Sequence, residues 1–286
     1  MLRTTIRAVQ CLWNEGNAPM RISFMTFACP DYAFDQVMAL GVRHGYGGVE
    51  FRCDSDHRHG VMIESTKAQR AELRHKLVDA GLEAPCLATS LQFIHQKAVE
   101  QALPRIELAV DIGCPALRVF CGPLPDGVGV DSAIPMVAAN LRRAAGRALK
   151  AGVKLWLETH DSISLGVHAG RIVRLVDHPA VAINWDNMHP FRVGEPLAKT
   201  WEAIGPFIQH THFHDAVARP GTPVIRPFGQ GELPLQQMYN LLRFSGYAGY
   251  FSGEWFGDQM GPDPDASLAI YKQGLQALEQ RWQAMQ

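Results

Sequence analysis

From Arg21 onward, short apolar runs alternate with longer amphipathic stretches, and one run plus one stretch takes about 30 residues, the length of a βα unit. The runs predict strands over Ile22 to Ala28, Gly48 to Arg52, Glu83 to Thr89, Ala116 to Phe120, Lys154 to Glu158 and Gly249 to Trp255, with two more starting at Val181 and Phe207. The stretches predict helices over Tyr32 to His44, Thr66 to Ala80, Lys97 to Ile112, Ser132 to Ala151, a segment ending near Val176, Pro196 to Ile204, Leu235 to Phe244 and Asp265 to Met285. Gly81, Gly113 and Gly152 each stand just past a helix, where the left-handed conformation is wanted. Eight successive units without a linker predict a single-domain α/β protein, one (β/α)8 TIM barrel over residues 20–286. Residues 1–19 break the pattern and read as a poorly packed N-terminal extension. Two connections are long: Cys121 to Gly129 is turn-rich and long enough for a lid, and Ala216 to Glu232 reads as a loop rich in Gly, Pro and Arg.

The strands end in polar residues, and alternation decides where these point. Side chains two apart share a face, so Trp156 points with Glu158, Asn184 with Asp186, His210 with His212, Ser252 with Glu254, Glu50 with Arg52 and Arg118 with Phe120. Charged groups inside a closed barrel are costly unless they meet each other, a metal or a ligand. Glu158, Asp186, His212 and Glu254, from the last four strands, therefore converge at the C-terminal mouth. Taken singly, each would be a cap or a salt-bridge partner; four on successive strands are a ligand set. Three carboxylates and one imidazole suit one divalent ion, Mn²⁺ above all, with Mg²⁺, Co²⁺ or Zn²⁺ as alternatives.

Composition narrows the partners. With 27 basic and 28 acidic residues the net charge is −1, which argues against nucleic acid and against a polybasic membrane anchor. No run reaches the roughly 18 apolar residues of a membrane span, and the first twenty residues lack the apolar core of a signal peptide. The six cysteines are scattered without a CxxC pair, as expected of reduced, buried thiols in a cytoplasmic protein. Trp13, Phe256 and Trp282 are candidates for a subunit contact in a homo-oligomer.

From Met20 to Asp258 the sequence resembles the xylose isomerase-like superfamily of sugar isomerases and epimerases, whose wider membership includes abasic-site endonucleases. The resemblance rests on Leu157-Glu158-Thr-His160, Trp185-Asp186-Asn-Met-His189, His210-Thr-His212-Phe-His-Asp215, Gly229-Gln-Gly231-Glu, and Gly246-Tyr-Ala-Gly249 ahead of Glu254. It implies that Glu158, Asp186, His212 and Glu254 hold the metal and that His189 touches substrate. It also implies a carbohydrate or polyol substrate, isomerised or epimerised by proton transfer through a metal-stabilised enediolate, with Glu158 and Glu254 on opposite sides of the sugar. Arg52, His57, His59, Arg118, His160 and Arg219 are the candidates for binding hydroxyls or an anionic substituent, with rim salt bridges as the alternative for the arginines. The chain departs from ketohexose epimerases at Ser164, where they carry a second Glu, and at Arg219, whose spacing from His212 is offset.

A keto-polyol dehydratase or lyase of the inosose or dehydroshikimate type would use the same ligands, with His57, His160 or His189 expelling a β-hydroxyl. An abasic-site endonuclease needs more ligands and a basic face, and a noncatalytic sugar-binding barrel need not keep both Glu158 and Glu254. Gly229-Gln-Gly231 either approaches a phosphate or makes a tight turn, the turn being favoured.

Overall fold

The computed structural model describes residues 19–218 and 222–286. Eight parallel strands close into a barrel: β1 (Arg21–Met25), β2 (Gly48–Arg52), β3 (Leu87–Gln92), β4 (Ala116–Phe120), β5 (Lys154–Glu158), β6 (Val181–Asp186), β7 (Ile208–His212) and, last, β10 (Tyr250–Gly253). Chain order is kept around the ring, and β10 pairs with both β7 and β1 to close it. The helices between them are α1 (Phe34–Arg43), α2 (Lys67–Asp79), α3 (Ala98–Ile112), α4 (Val130–Lys150), α5 (Gly166–Val176), α6 (Met188–Arg192), α7 (Leu197–Ile204), α8 (Leu235–Phe244) and α9 (Pro264–Gln283). Local chemistry sets their ends. In α2 the Thr66 hydroxyl accepts from the Gln69 amide while the Gln69 side chain accepts from the Thr66 amide, and past its last turn Gly81 takes φ +66°.

Outward residues of the strands are apolar and fully buried under helices, as with Leu155, Leu157, Ile183 and Trp185. Inward residues form layers. Cys86, Ala116, Trp156 and Ala182 make an apolar floor, and the Trp156 ring stacks on His210 at 5.2 Å. Above it the interior is polar, with Glu50, Arg118, Asn184, His210, His212 and Glu158 all buried. The five described cysteines are buried and free, their thiols pushed up by burial, for Cys29 and Cys53 to about 12.

Three expectations shift. The third strand starts at Leu87 rather than Glu83, because Pro85 has no N–H for the ladder and leaves Gly48 and Glu83 as an isolated bridge. The stretch from Ala216 is not plain loop: β8 (Asp215–Val217) and β9 (Val224–Arg226) pair antiparallel over the mouth. Trp282 is not an exposed subunit contact either, being buried with its ring 4.3 Å from Phe244. Phe256 is half exposed beside Phe27, and Trp13, like the rest of the predicted extension up to residue 18, lies outside the described residues. No described helix is long and apolar enough to cross a membrane.

Candidate active site

The last four barrel strands bring Glu158, Asp186, His212 and Glu254 together so that one donor atom from each lies within 4.8 Å of all the others. Register does this. Asp186 sits level with His212, Glu158 sits level with Asn184, two residues before Asp186 on the same strand, and Glu254 follows two residues after Ser252, which is itself level with His212.

His212 is the centre of the cluster. Its Nε2 lies 3.1 Å from Glu50 Oε1, and its Nδ1 lies 2.9 Å from Glu254 Oε2 and 3.4 Å from Glu158 Oε2. Glu50 is itself fixed by His210 Nε2 at 2.9 Å and by the Ser252 hydroxyl at 2.8 Å. A carboxylate on one ring nitrogen leaves the other turned toward the acidic groups, the arrangement by which proteins orient a metal-binding imidazole. Burial opposes charge on His212, but Glu50, Glu254 and Glu158 outweigh it and hold the ring well above the usual histidine range. A proton on Nδ1 and a divalent cation are alternative ways to satisfy the same two carboxylates. The donor set therefore fits a hard or borderline divalent ion.

The carboxylates are not equivalent. Glu158 is fully buried, with Arg118 Nε at 3.1 Å and the Asn184 amide donating at 3.3 Å; burial pushes its carboxyl up, yet Arg118 and His212 hold it below the usual range. Glu254 is the more open of the two and faces a cavity of about 440 Å³ at the mouth. Asp186 accepts from the Met188 amide at 2.9 Å, and its carboxyl is pushed up to about 6, by burial first and then by the charges of Glu158 and Glu254, against the pull of His214.

Histidines line the same cavity. His160 Nδ1 lies 2.7 Å from Asp161 Oδ1, and Asp161 takes the left-handed φ +49°, a strained conformation that recurs at functional sites. His189 stacks edge-on against His160 at 4.2 Å and accepts from Arg192 Nε at 2.9 Å. Burial, with His160 and Arg192 adding to it, holds His189 well below the usual histidine range, so the ring is neutral. His214 is buried, with Nε2 3.6 Å from Asp186 Oδ1 and no hydrogen bond to either ring nitrogen among the described residues. Thr222, Pro223 and Ile225 from the β8–β9 ribbon close one side, where the sequence had suggested the Cys121 to Gly129 loop as a lid.

The sequence matches the family described as xylose isomerase-like TIM barrel over residues 38–281. The chain belongs to that family. Among curated members it is 21% identical to a 3-dehydroshikimate dehydratase of Bacillus anthracis, over 68% of this chain and 71% of the relative. It is 22% identical to a 2-oxo-tetronate isomerase of Haemophilus influenzae, over 84% and 85%. The crystal structure of the IOLI protein with a zinc atom superposes with a TM-score of 0.79 at 17% identity, covering 92% of this chain and 99% of that one, which is a likeness of fold.

Within this family barrel Arg52, Arg118, His57 and His59, also candidates from the sequence, are not among the residues that line the mouth cavity. Arg52 donates to the Ala88 carbonyl at 2.9 Å and to the Ser90 hydroxyl, while Arg118 lies beneath the cluster on Glu158 and over the Phe120 ring. His57 and His59 turn away from the cavity to Thr26 Oγ1, at 3.1 and 3.4 Å, and tie their loop to the end of β1. Burial takes His59 down to about 3, as befits a neutral structural ring. Arg219 lies outside the described residues. Gly229 and Gly231 make a tight turn whose amides donate to Asp215 Oδ2 at 2.8 and 3.0 Å, which leaves them engaged by a carboxylate rather than open to a phosphate. Alternation in the sequence places Glu50 and Asn184 on inward faces but assigns them no role, and Arg192 and His214 are not among its candidates for substrate. The available signals were Glu50 on an inward face, His214 two residues past His212, and Arg192 one helical turn past His189.

A second cavity of about 470 Å³ opens at the opposite, N-terminal end under Trp156 and His210. No carboxylate of the cluster reaches it, and in such barrels that end serves stability.

Proposed function

We propose that this protein is a divalent-metal-dependent enzyme that moves a proton at the carbon beside the carbonyl of a small keto-sugar or keto-polyol, as an isomerase or epimerase. The supporting observation is the convergence of four donor atoms within 4.8 Å beneath a cavity lined with imidazoles. Glu158, Asp186, Glu254 and His212 Nδ1 would hold the ion. When bound, the ion would draw electron density from the substrate carbonyl and lower the cost of removing the neighbouring proton.

The chain's own groups supply the proton handling. Glu254 borders the cavity and is the carboxylate best placed to take a proton from bound substrate. Glu158 is held by Arg118 and Asn184 away from the cavity lining, so His160, oriented by Asp161, is the better placed group on the other side. His189 carries its proton on Nε2, because Nδ1 accepts from Arg192, and so offers a hydrogen bond rather than a base.

The His160–Asp161 pair also favours a second reading, a dehydratase, in which the imidazole protonates a departing hydroxyl once the neighbouring carbon has lost its proton. One experiment separates the two. Full-length protein loaded with Mn²⁺ is incubated with keto-polyols in D₂O and followed by NMR. Deuterium entering beside the carbonyl without loss of water supports the isomerase or epimerase, whereas an unsaturated ketone supports the dehydratase. Glu254→Gln should slow either by at least about 100-fold. Stoichiometric metal binding that is not weakened in Glu158→Gln or Glu254→Gln would sink both readings.

A further inference from the structure

We propose that Arg192 reads an anionic group on the substrate, so that the site takes keto-polyols bearing a carboxylate. The inference rests on the function proposed above and narrows its substrate class.

Arg192 is half-buried at the end of α6 and lines the mouth cavity. Its Nε is committed to His189 Nδ1 at 2.9 Å, and no acceptor among the described residues engages its two terminal nitrogens. A guanidinium held by its Nε presents the remaining N–H groups as a planar fork, the geometry that matches a carboxylate. Asp186, His189 and Arg192 follow one another at three-residue spacing from the tip of β6 through the short helix α6, so the distance from metal ligand to guanidinium is fixed by one stiff piece of chain. His214 lines the same cavity, buried, with no hydrogen bond to either ring nitrogen among the described residues and only a longer contact of 3.6 Å from Nε2 to Asp186 Oδ1.

Charge decides what kind of anion fits. Asp161, Asp186 and Glu254 line the cavity, and Arg192 is the only lysine or arginine among the described lining residues. One bound divalent ion and Arg118 on Glu158 would balance the ligand carboxylates, which leaves Arg192 as the uncommitted guanidinium among the described lining residues. A monoanionic carboxylate meets that single charge. A phosphate dianion would bring a second negative charge for which the described lining residues offer no further lysine or arginine, and the amides of Gly229 and Gly231 are spent on Asp215.

The test uses a matched pair of probes on the manganese-loaded full-length protein. Hydroxypyruvate and dihydroxyacetone share the hydroxymethyl ketone and differ only in a carboxylate against a hydroxymethyl group; dihydroxyacetone phosphate is the phosphate arm. Calorimetric affinities should favour hydroxypyruvate over dihydroxyacetone by at least about tenfold, and Arg192→Gln should remove most of that ratio, with Arg192→Lys retaining part of it. If Arg192→Gln does not load metal, the Lys variant must still lower the ratio. A preference that survives in both variants belongs to chelation by the metal and overturns the proposal. So does tighter binding of dihydroxyacetone phosphate than of hydroxypyruvate, or a preference lost in Arg219→Gln and kept in Arg192→Gln. Deuterium exchange at the hydroxymethyl carbon, read on the same samples, separates the two levels. Preferential binding with no exchange of either probe would defeat the proposed function and leave the anion reading standing, and exchange without preference would do the reverse.

Discussion

At the scale of single residues, the site depends on groups that touch neither metal nor substrate. Glu50 lies beneath the cluster with His210, His212 and Ser252 on its oxygens. An amide in its place can accept from one imidazole but must turn a donor toward the other. Glu50→Gln should therefore lower metal affinity by about 10–100-fold with the fold retained, as read by metal titration and circular dichroism. Arg118 is the counterpart on the other side. Removing its charge leaves Glu158 buried without its partner, so Arg118→Met should cost about 3–5 kcal/mol in urea unfolding of the chelated protein. Added Mn²⁺ should return part of that loss, because the ion offers Glu158 another positive partner.

At the scale of elements, one carboxylate at the start of β8 gathers the turn that follows β9 against the ribbon. Asp215 accepts from the amides of Ala216, Gly229, Gly231 and Leu233, at 2.9, 2.8, 3.0 and 3.3 Å. Asp215→Ala leaves those amides without an acceptor and should release the ribbon locally rather than unfold the barrel. Since the ribbon gives Thr222, Pro223 and Ile225 to the cavity, KM should rise more than kcat falls, and amide protection over 224–226 should be lost in hydrogen exchange. Gly231→Ala should do the same by a different route, because its Cβ would come 2.1 Å from Asp215 Oδ1. Retained protection in both variants would show that the pairing of β8 with β9 is sufficient alone.

At the scale of the whole molecule, a metal at the mouth would tie β5, β6, β7 and the end of β10 together. Chelation should accordingly lower the melting temperature, and Mn²⁺ at about 100 times its Kd should restore roughly 5–10 °C, the effect of ~2.7 kcal/mol of binding on a chain of this length. Scanning calorimetry with and without chelator checks it, and an unchanged transition would mean that the ion does not bridge the strands. The sequence by itself determined the barrel, since the period of apolar runs fixes the number of βα units and strand alternation fixes which residues face inward. It therefore also brought Glu158, Asp186, His212 and Glu254 to one mouth. What tertiary structure alone decided is the division of labour. Inward-facing residues of one layer look alike in sequence, and their heights depend on the stagger between strands, which sets Glu50 and Arg118 beneath the donors and His160, His189 and Arg192 around the cavity. The turn of His57 and His59 toward Thr26 was likewise beyond reach of the sequence, because a loop carries no periodicity from which the direction of a side chain can be read. Local pattern encodes faces; closure of the ring and the register between strands decide distances, and distances decide which charged groups share a ligand.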